Sequence, residues 1–370
     1  MTIMDQDHPR RYMVNRFLVL LLLAGFGSPA FAGTRATMHE VEQLLRSLRD
    51  KPDAEVVTSI ANLELTERAS SLRLSQWQAE FQGKQTREAL LALADASAFL
   101  ELPSEEIPQI AMPDDAERKQ ILSRTIEYVR TTIHKLPNFS AKRSTTHFED
   151  APDSTSSYSR VLHVRSKASI VVKYLNGFEV VDAEVSKRGK IHSPKMRLTT
   201  SGEFGPILSV VIGDAIRSQV FWGHWEQGTA GPMAVLRYVV PAENSHYAVT
   251  LGNVRDEGKA QFPAYHGEIA VDPTNGTILR VTMETELNPA HRTFKSGIVV
   301  EYGPVTIGNR DYICPIRSEA LSKLTDTGAG DKPRKAGKNT DPANIRYLTC
   351  LNDVSFTDYH VFRAEVRVLP

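Results

Sequence analysis

Between residues 34 and about 136, apolar side chains recur every three or four positions; beyond Pro137 they alternate with polar ones. The first spacing is that of one helix face and the second that of one strand face, so a helical segment is predicted to precede a strand-rich one. Thr37-x-x-Glu40 is a capping box, and the helix it opens sets Met38, Val41, Leu45 and Leu48 on one side. Helical spacing continues over 53–63, 66–81 and 86–100. After a proline-marked loop at 103–113, a long helix from about Asp114 is predicted to bury Leu122, Ile126, Val129, Ile133 and Leu136.

Strands are predicted over 143–149, 159–165, 169–175, 178–185, 219–226, 234–240, 246–251, 265–271, 278–287, 297–302, 312–322, 347–351 and 359–369. The clearest hairpin turns at Asp272-Pro273-Thr274-Asn275-Gly276, because Asn-Gly supplies the positive φ angles of a tight turn. In its second strand Leu279, Val281 and Met283 face one way, and Arg280, Thr282 and Glu284 the other. The last strand sets Phe362, Ala364, Val366 and Val368 against Arg363, Glu365 and Arg367. One face of the sheet is therefore expected to pack and the other to meet water.

One helix interrupts the strands, capped by Ser201 and carrying Ile207, Leu208, Val211, Ile212, Ala215 and Ile216 as a broad apolar stripe. The fold class predicted is α+β: an all-helical N-terminal domain over 34–136, then a β-rich domain over 137–370. In that second domain a curved antiparallel sheet would form an open half-barrel beneath one or two covering helices, a shape that encloses a ligand cavity.

The first 32 residues change the compartment assigned to this chain. An apolar run over 17–26 follows Arg10, Arg11 and Arg16 and ends in Ala30-Phe31-Ala32, the small-x-small pattern of a cleaved secretory signal. Cleavage near Ala32 would leave a mature chain in the periplasm or outside the cell. Met13 alone could start a complete signal, and the context of Arg10-Arg11 suits ordinary secretion better than twin-arginine export. No cysteine follows the run for lipid attachment, and no later stretch is long and apolar enough to span a bilayer, so no transmembrane anchor is expected after cleavage.

Lys plus Arg and Asp plus Glu number 44 each. That balance leaves no overall field to attract nucleic acid. The basic loop 332–338 is diluted by Asp326, Asp331 and Asp341, and reads as solvated. Cys314 and Cys350 flank a polar loop at 325–344, in an exported chain where oxidation is permitted. A disulfide between them is the favoured reading, worth about 3–4 kcal/mol on the chain-entropy estimate; two buried free thiols are the alternative. Two cysteines without a histidine pair do not make a zinc site.

Four segments carry a family resemblance: Leu136-Pro137-Asn138-Phe139, Ser201-Gly202-Glu203-Phe204-Gly205, Tyr265-His266-Gly267-Glu268 and Val271-Asp272-Pro273-Thr274-Asn275-Gly276-Thr277-Ile278. Together they resemble a group of uncharacterised exported bacterial proteins with a strand-rich C-terminal domain. The pattern over 137–370 is also similar to the outer-membrane lipoprotein-sorting (Lol) fold. That resemblance implies an unclosed barrel able to shelter acyl chains. It does not carry over lipoprotein transfer, because the carrier's arginine-dependent lid contact is not identified in the sequence, and it does not account for the helical segment.

The densest chemical cluster is Phe221-Trp222-Gly223-His224-Trp225-Glu226. As an extended strand it would show Trp222, His224 and Glu226 on one face and Phe221 and Trp225 on the other, fit either for ligand stacking with a polar anchor or for plain core packing. His224 and Glu226, together with Glu203 or with His266 and Glu268, have the groups of a metal or acid–base site but not the spacing of one. Neither a Gly-x-Ser-x-Gly elbow nor a phosphate-binding glycine motif occurs. The resulting expectation is a protein without enzymatic activity or cofactor that binds an apolar or amphipathic ligand such as a lipid. Phe204, Leu208, Val211, Ile212, Trp222, His224 and Trp225 are the candidate ligand-binding residues. An interaction scaffold with an envelope protein partner is the alternative, and an exported hydrolase is third.

Overall fold

The computed structural model describes residues 34–132, 136–150, 161–176, 178–181, 203, 206–250, 260–287, 293–326 and 346–361. The signal-like segment, the loop at 325–344 beyond Asp326, and the last predicted strand beyond Val361 lie outside them. The described residues belong to one compact unit.

The helical segment contains α1 (Met38–Ser47), α2 (Asp53–Ile60), α3 (Ser71–Glu80), α4 (Lys84–Ala96) and α5 (Asp115–Thr132). The Thr37 capping box forms with both its hydrogen bonds. Asp114 caps α5 by accepting from the Glu117 amide at 2.8 Å. The segment is not all-helical: β1 (Thr34–Ala36) and β2 (Leu63–Leu65) pair in parallel. Met38, Val41, Leu45, Val56, Trp77 and Leu90 are among the buried residues that hold these helices together.

The strands β3 (Phe139–Glu149), β4 (His163–Leu175), β5 (Phe178–Val181), β6 (Gln219–Gln227), β7 (Pro232–Val240), β10 (Tyr265–Val271), β11 (Ile278–Glu286), β12 (Thr293–Ile307), β13 (Arg310–Asp326) and β14 (Arg346–Val361) form one sheet. Its order is β5-β4-β3-β14-β13-β12-β11-β10-β7-β6, antiparallel throughout. With β5 and β6 as edges, it does not close into a barrel. The predicted strands 159–165 and 169–175 are continuous as β4. The segment 246–251 contributes only β8 (Val249–Thr250), paired with β9 (Ala260–Gln261).

Helices cover both faces. On the first face, α5 and α6 (Pro206–Ile216) pack on Tyr238, Tyr265, Ile269, Val281, Met283 and Val300. On the second, Ala92 of α4 packs with Phe148, Leu321 and Leu351. The expected water-facing side of β11 is therefore covered, and Arg280 and Thr282 are buried there. Alternation shows that the two faces differ in polarity; it does not show what lies on the polar one. The stripe of α5 is also rotated from expectation: Ile121 and Thr125 are fully buried, while Leu122, Ile126 and Val129 are half-buried.

The β10–β11 turn supports α5. Gly276 has φ +76°, and a Cβ there would meet the Arg124 carbonyl carbon at 2.3 Å and its oxygen at 2.5 Å. Arg124 Nη1 donates to the Pro273 carbonyl at 2.9 Å. Gly276→Ala is expected to cost about 2 kcal/mol or more, combining left-handed strain with a backbone clash. An unchanged thermal midpoint in that variant would contradict this docking.

Candidate functional site

Helix α6 is apolar nearly all round. Ile207, Leu208, Val211, Ile212 and Ala215 are buried against the sheet, Val210 is half-buried, and Ile216 is 47% exposed. The predicted ligand-binding residues Leu208, Val211 and Ile212 thus form the contact between helix and sheet. Phe204 lies outside the described residues.

Polar groups hold α6 at both ends. Near its C-terminal end Asp214, 1% exposed, accepts from the His246 backbone amide and the Tyr265 hydroxyl, each at 2.8 Å, and meets His246 Nδ1 at 2.6 Å. Burial first, then the bond to Asp214, raises the Tyr265 hydroxyl far above its ordinary pKa. Upstream of the helix, Glu203 is 0% exposed; its Oε1 accepts from Arg143 Nη2 at 2.9 Å and from the Ser318 hydroxyl at 3.3 Å. A sheet arginine therefore grips the segment entering the covering helix, a contact that sequence reading did not find. Its one trace in the sequence was a charged residue, Arg143, in line with the apolar Phe139 and Ala141 of β3. The Glu203 Oε2 and Tyr302 hydroxyl oxygens are buried without a hydrogen-bond partner among the described residues. Burial and then the charge of Glu203 raise both the Tyr302 hydroxyl and the Tyr247 hydroxyl, the latter to about 12.

The aromatic cluster on β6 differs from expectation by one phase. Trp222 pairs with Leu236, but His224 pairs with Val235, leaving Gly223 in a bulge. Each residue beyond the bulge swaps faces. Both tryptophans consequently lie against the core under α6, with ring centroids 5.0 Å apart, and Trp225 Nε1 donates to the Ala111 carbonyl at 2.9 Å. Glu226 and His224 point instead to the opposite face, 3.7 Å from each other.

There Glu226 binds both guanidinium nitrogens of Arg280, at 2.5 and 2.6 Å, and Arg68 Nη2 at 2.7 Å. Burial favours the protonated acid, but the Arg280 and Arg68 charges and their hydrogen bonds outweigh it and hold this carboxyl far below its usual range. The group is an ion-paired link between helices and sheet. Glu203 lies on the other face and cannot join it. Arg317 makes a second such link, binding Asp95 of α4, Glu319 of β13 and, at 2.8 Å, Asp353 of β14. No cluster suited to a metal ion occurs among the described residues. Beside Glu226 a cleft of about 340 Å³ is lined by Leu72, Arg73, Leu102, Glu106 and Pro108.

The predicted disulfide is corrected: Cys314 and Cys350 are both buried and are not bridged. Cys350 lies opposite Ser322, eight residues along β13 from Cys314. At about 3.4 Å per residue the two are roughly 27 Å apart, several times bridging distance. Burial pushes the Cys314 thiol up to about 12, which keeps it protonated and unreactive.

Among the described residues no helix is long and apolar enough to cross a membrane. Comparison with protein-family models, with curated proteins and with solved structures returns no match, so functional assignment rests on the geometry alone.

Proposed function

We propose that this chain is an exported binding protein that shelters an apolar or amphipathic ligand, a lipid, between α6 and the sheet face it covers. The observation that carries the reading is α6 itself. A helix so rich in apolar residues is ordinarily enclosed by protein, whereas this one keeps Ile216 in solvent, with polar contacts at Asp214 near its C-terminal end and at Glu203 upstream of it. Such a helix can exchange sheet contacts for acyl-chain contacts at little hydrophobic cost, since apolar burial is non-directional. The unclosed antiparallel sheet, with a helix-covered apolar face, is consistent with such a carrier. The signal-like pattern of residues 1–32 supports a periplasmic setting.

Because Leu208, Val211 and Ile212 are packed on the sheet, loading requires α6 to lift. Mass spectrometry of organic extracts from gently purified protein is expected to find lipid bound to it. An empty extract, together with no binding of the apolar dye N-phenyl-1-naphthylamine, would sink the reading. A second reading is favoured by Leu72, which lines the 340 Å³ cleft, and by Leu100, Ile110 and Met112, all exposed on the helical segment. In that case the helices dock an envelope partner, and crosslinks from Met112 would capture it while extracts remained empty.

A further inference from the structure

A carboxylate oxygen and a phenol hydroxyl are buried beside α6 without partners among the described residues. They are Glu203 Oε2, on a side chain with no exposure, and the oxygen of Tyr302, 6% exposed. Burying a polar atom without a hydrogen bond costs on the order of 1–3 kcal/mol, more when it is charged, so folded proteins seldom retain two together. These two share one stretch of sheet. Ser318, which donates to Glu203, lies directly opposite Val300, and Tyr302 is two residues further along that strand.

We infer that Glu203 and Tyr302 form a headgroup site that takes the neutral hydroxyl of an amphipathic ligand, whose acyl chain lies along the apolar face under α6. The inference rests on the carrier reading above. Charge selects the ligand class. Arg143 already balances Glu203 at 2.9 Å, so the site calls for no added cation. A fatty-acid carboxylate or a phosphate would bring a second negative charge against Glu203 in a low-dielectric interior, which is strongly unfavourable. A quaternary ammonium has no proton to donate. An alcohol meets both needs, donating to Glu203 Oε2 while accepting from the Tyr302 hydroxyl. Monoacylglycerols and fatty alcohols are the simplest lipids of this kind. The surroundings agree: the apolar Val300 borders the same region, as do Tyr128 and Tyr247, each with an apolar ring and a hydroxyl at its edge.

The test uses the full mature chain and three probes: 1-monododecanoylglycerol, dodecanoate, and N-phenyl-1-naphthylamine as a reporter of apolar binding. The native protein is expected to bind the monoacylglycerol about tenfold more tightly than dodecanoate, the factor that a hydrogen bond to a charged group provides. Tyr302→Phe should weaken monoacylglycerol about tenfold and leave the dye unchanged. Glu203→Gln keeps an acceptor for Arg143 but removes the repelling charge, and should bring the two amphiphiles to similar affinity. Equal binding of both by the native protein, or no response to Tyr302→Phe, would overturn the headgroup site while dye binding preserved the carrier reading. Failure of the dye to bind at all would reject both. Should Glu203→Gln fail to fold, the Tyr302→Phe result decides.

Discussion

Replacing Glu226 by alanine is expected to lower the unfolding free energy by about 3–5 kcal/mol, the cost of removing one partner from a buried ionic group. Two guanidiniums depend on this carboxylate. Arg280 would keep only a contact to Glu268 at 3.6 Å, and Arg68 would lose the partner that receives its Nη2. All three side chains are less than a tenth exposed, so water cannot take the carboxylate's place without opening the interface between helices and sheet. Urea denaturation followed by circular dichroism measures the loss. A change below about 1 kcal/mol would contradict the burial and bonding described. Replacing Glu226, Arg68 and Arg280 together by apolar residues of similar volume should restore much of the loss, since the penalty arises from the stranded charges. The pH dependence has a definite sign. The folded carboxyl is held far below its ordinary value of 4.5, so its contribution is complete above that pH and declines only as the medium becomes strongly acid.

Arg317→Met should be comparably damaging at alkaline pH, about 3–5 kcal/mol, and much less so near pH 5. It strands Asp95, Glu319 and Asp353, three carboxyls that the native protein gathers around one guanidinium. Burial, opposed by Arg317 and assisted by the charges of Glu301 and Asp353, already raises Glu319 from 4.5 to about 7; burial raises Asp95 as well. A raised acid binds its proton more tightly in the folded state. Its stabilising contribution is therefore complete below about 4.5 and is lost as pH rises through about 7. The native protein is accordingly expected to lose stability between about pH 5 and pH 8, a decline that Glu319→Gln should flatten. Urea midpoints across that interval provide the check, and a midpoint that climbs with pH in the native protein would refute the assignment.

Local signals were legible where one short segment contains the whole physical cause. The capping box at Thr37 needs only Thr37 and Glu40, and it forms as expected. The hairpin at Gly276 needs only a residue tolerant of positive φ, and β10 and β11 flank it within a residue of the expected limits. The α6 stripe likewise sets five apolar residues against the sheet. Expectation failed where the cause was distant in sequence. The bulge at Gly223 moves Trp225 to the core and His224 away from Trp222, and no alternation rule announces a skipped residue. The rotation of α5 goes with its seat on the distant Gly276 turn, which lies against Arg124 and Thr125. The cysteines looked like partners because a loop separates them, but the strand register carries them apart. Within the candidate site, the apolar residues of α6 were legible and the polar ones were not: Glu203 meets Arg143 across 60 positions of sequence, and Asp214 meets Tyr265 across 51.

By itself the amino-acid order determined the types of element, the antiparallel β-rich C-terminal part, the balanced charge and the greasy helix amid the strands, because each follows from periodicity or composition within a short window. Only the tertiary structure decided that helices lie on both faces of the sheet, that buried Arg280 and half-buried Arg317 are ionic hubs, and that Glu203 and Tyr302 share a covered region. Those outcomes depend on strand order and register, which bring together side chains remote in sequence and remove water from between them; periodicity specifies a face but not its occupant.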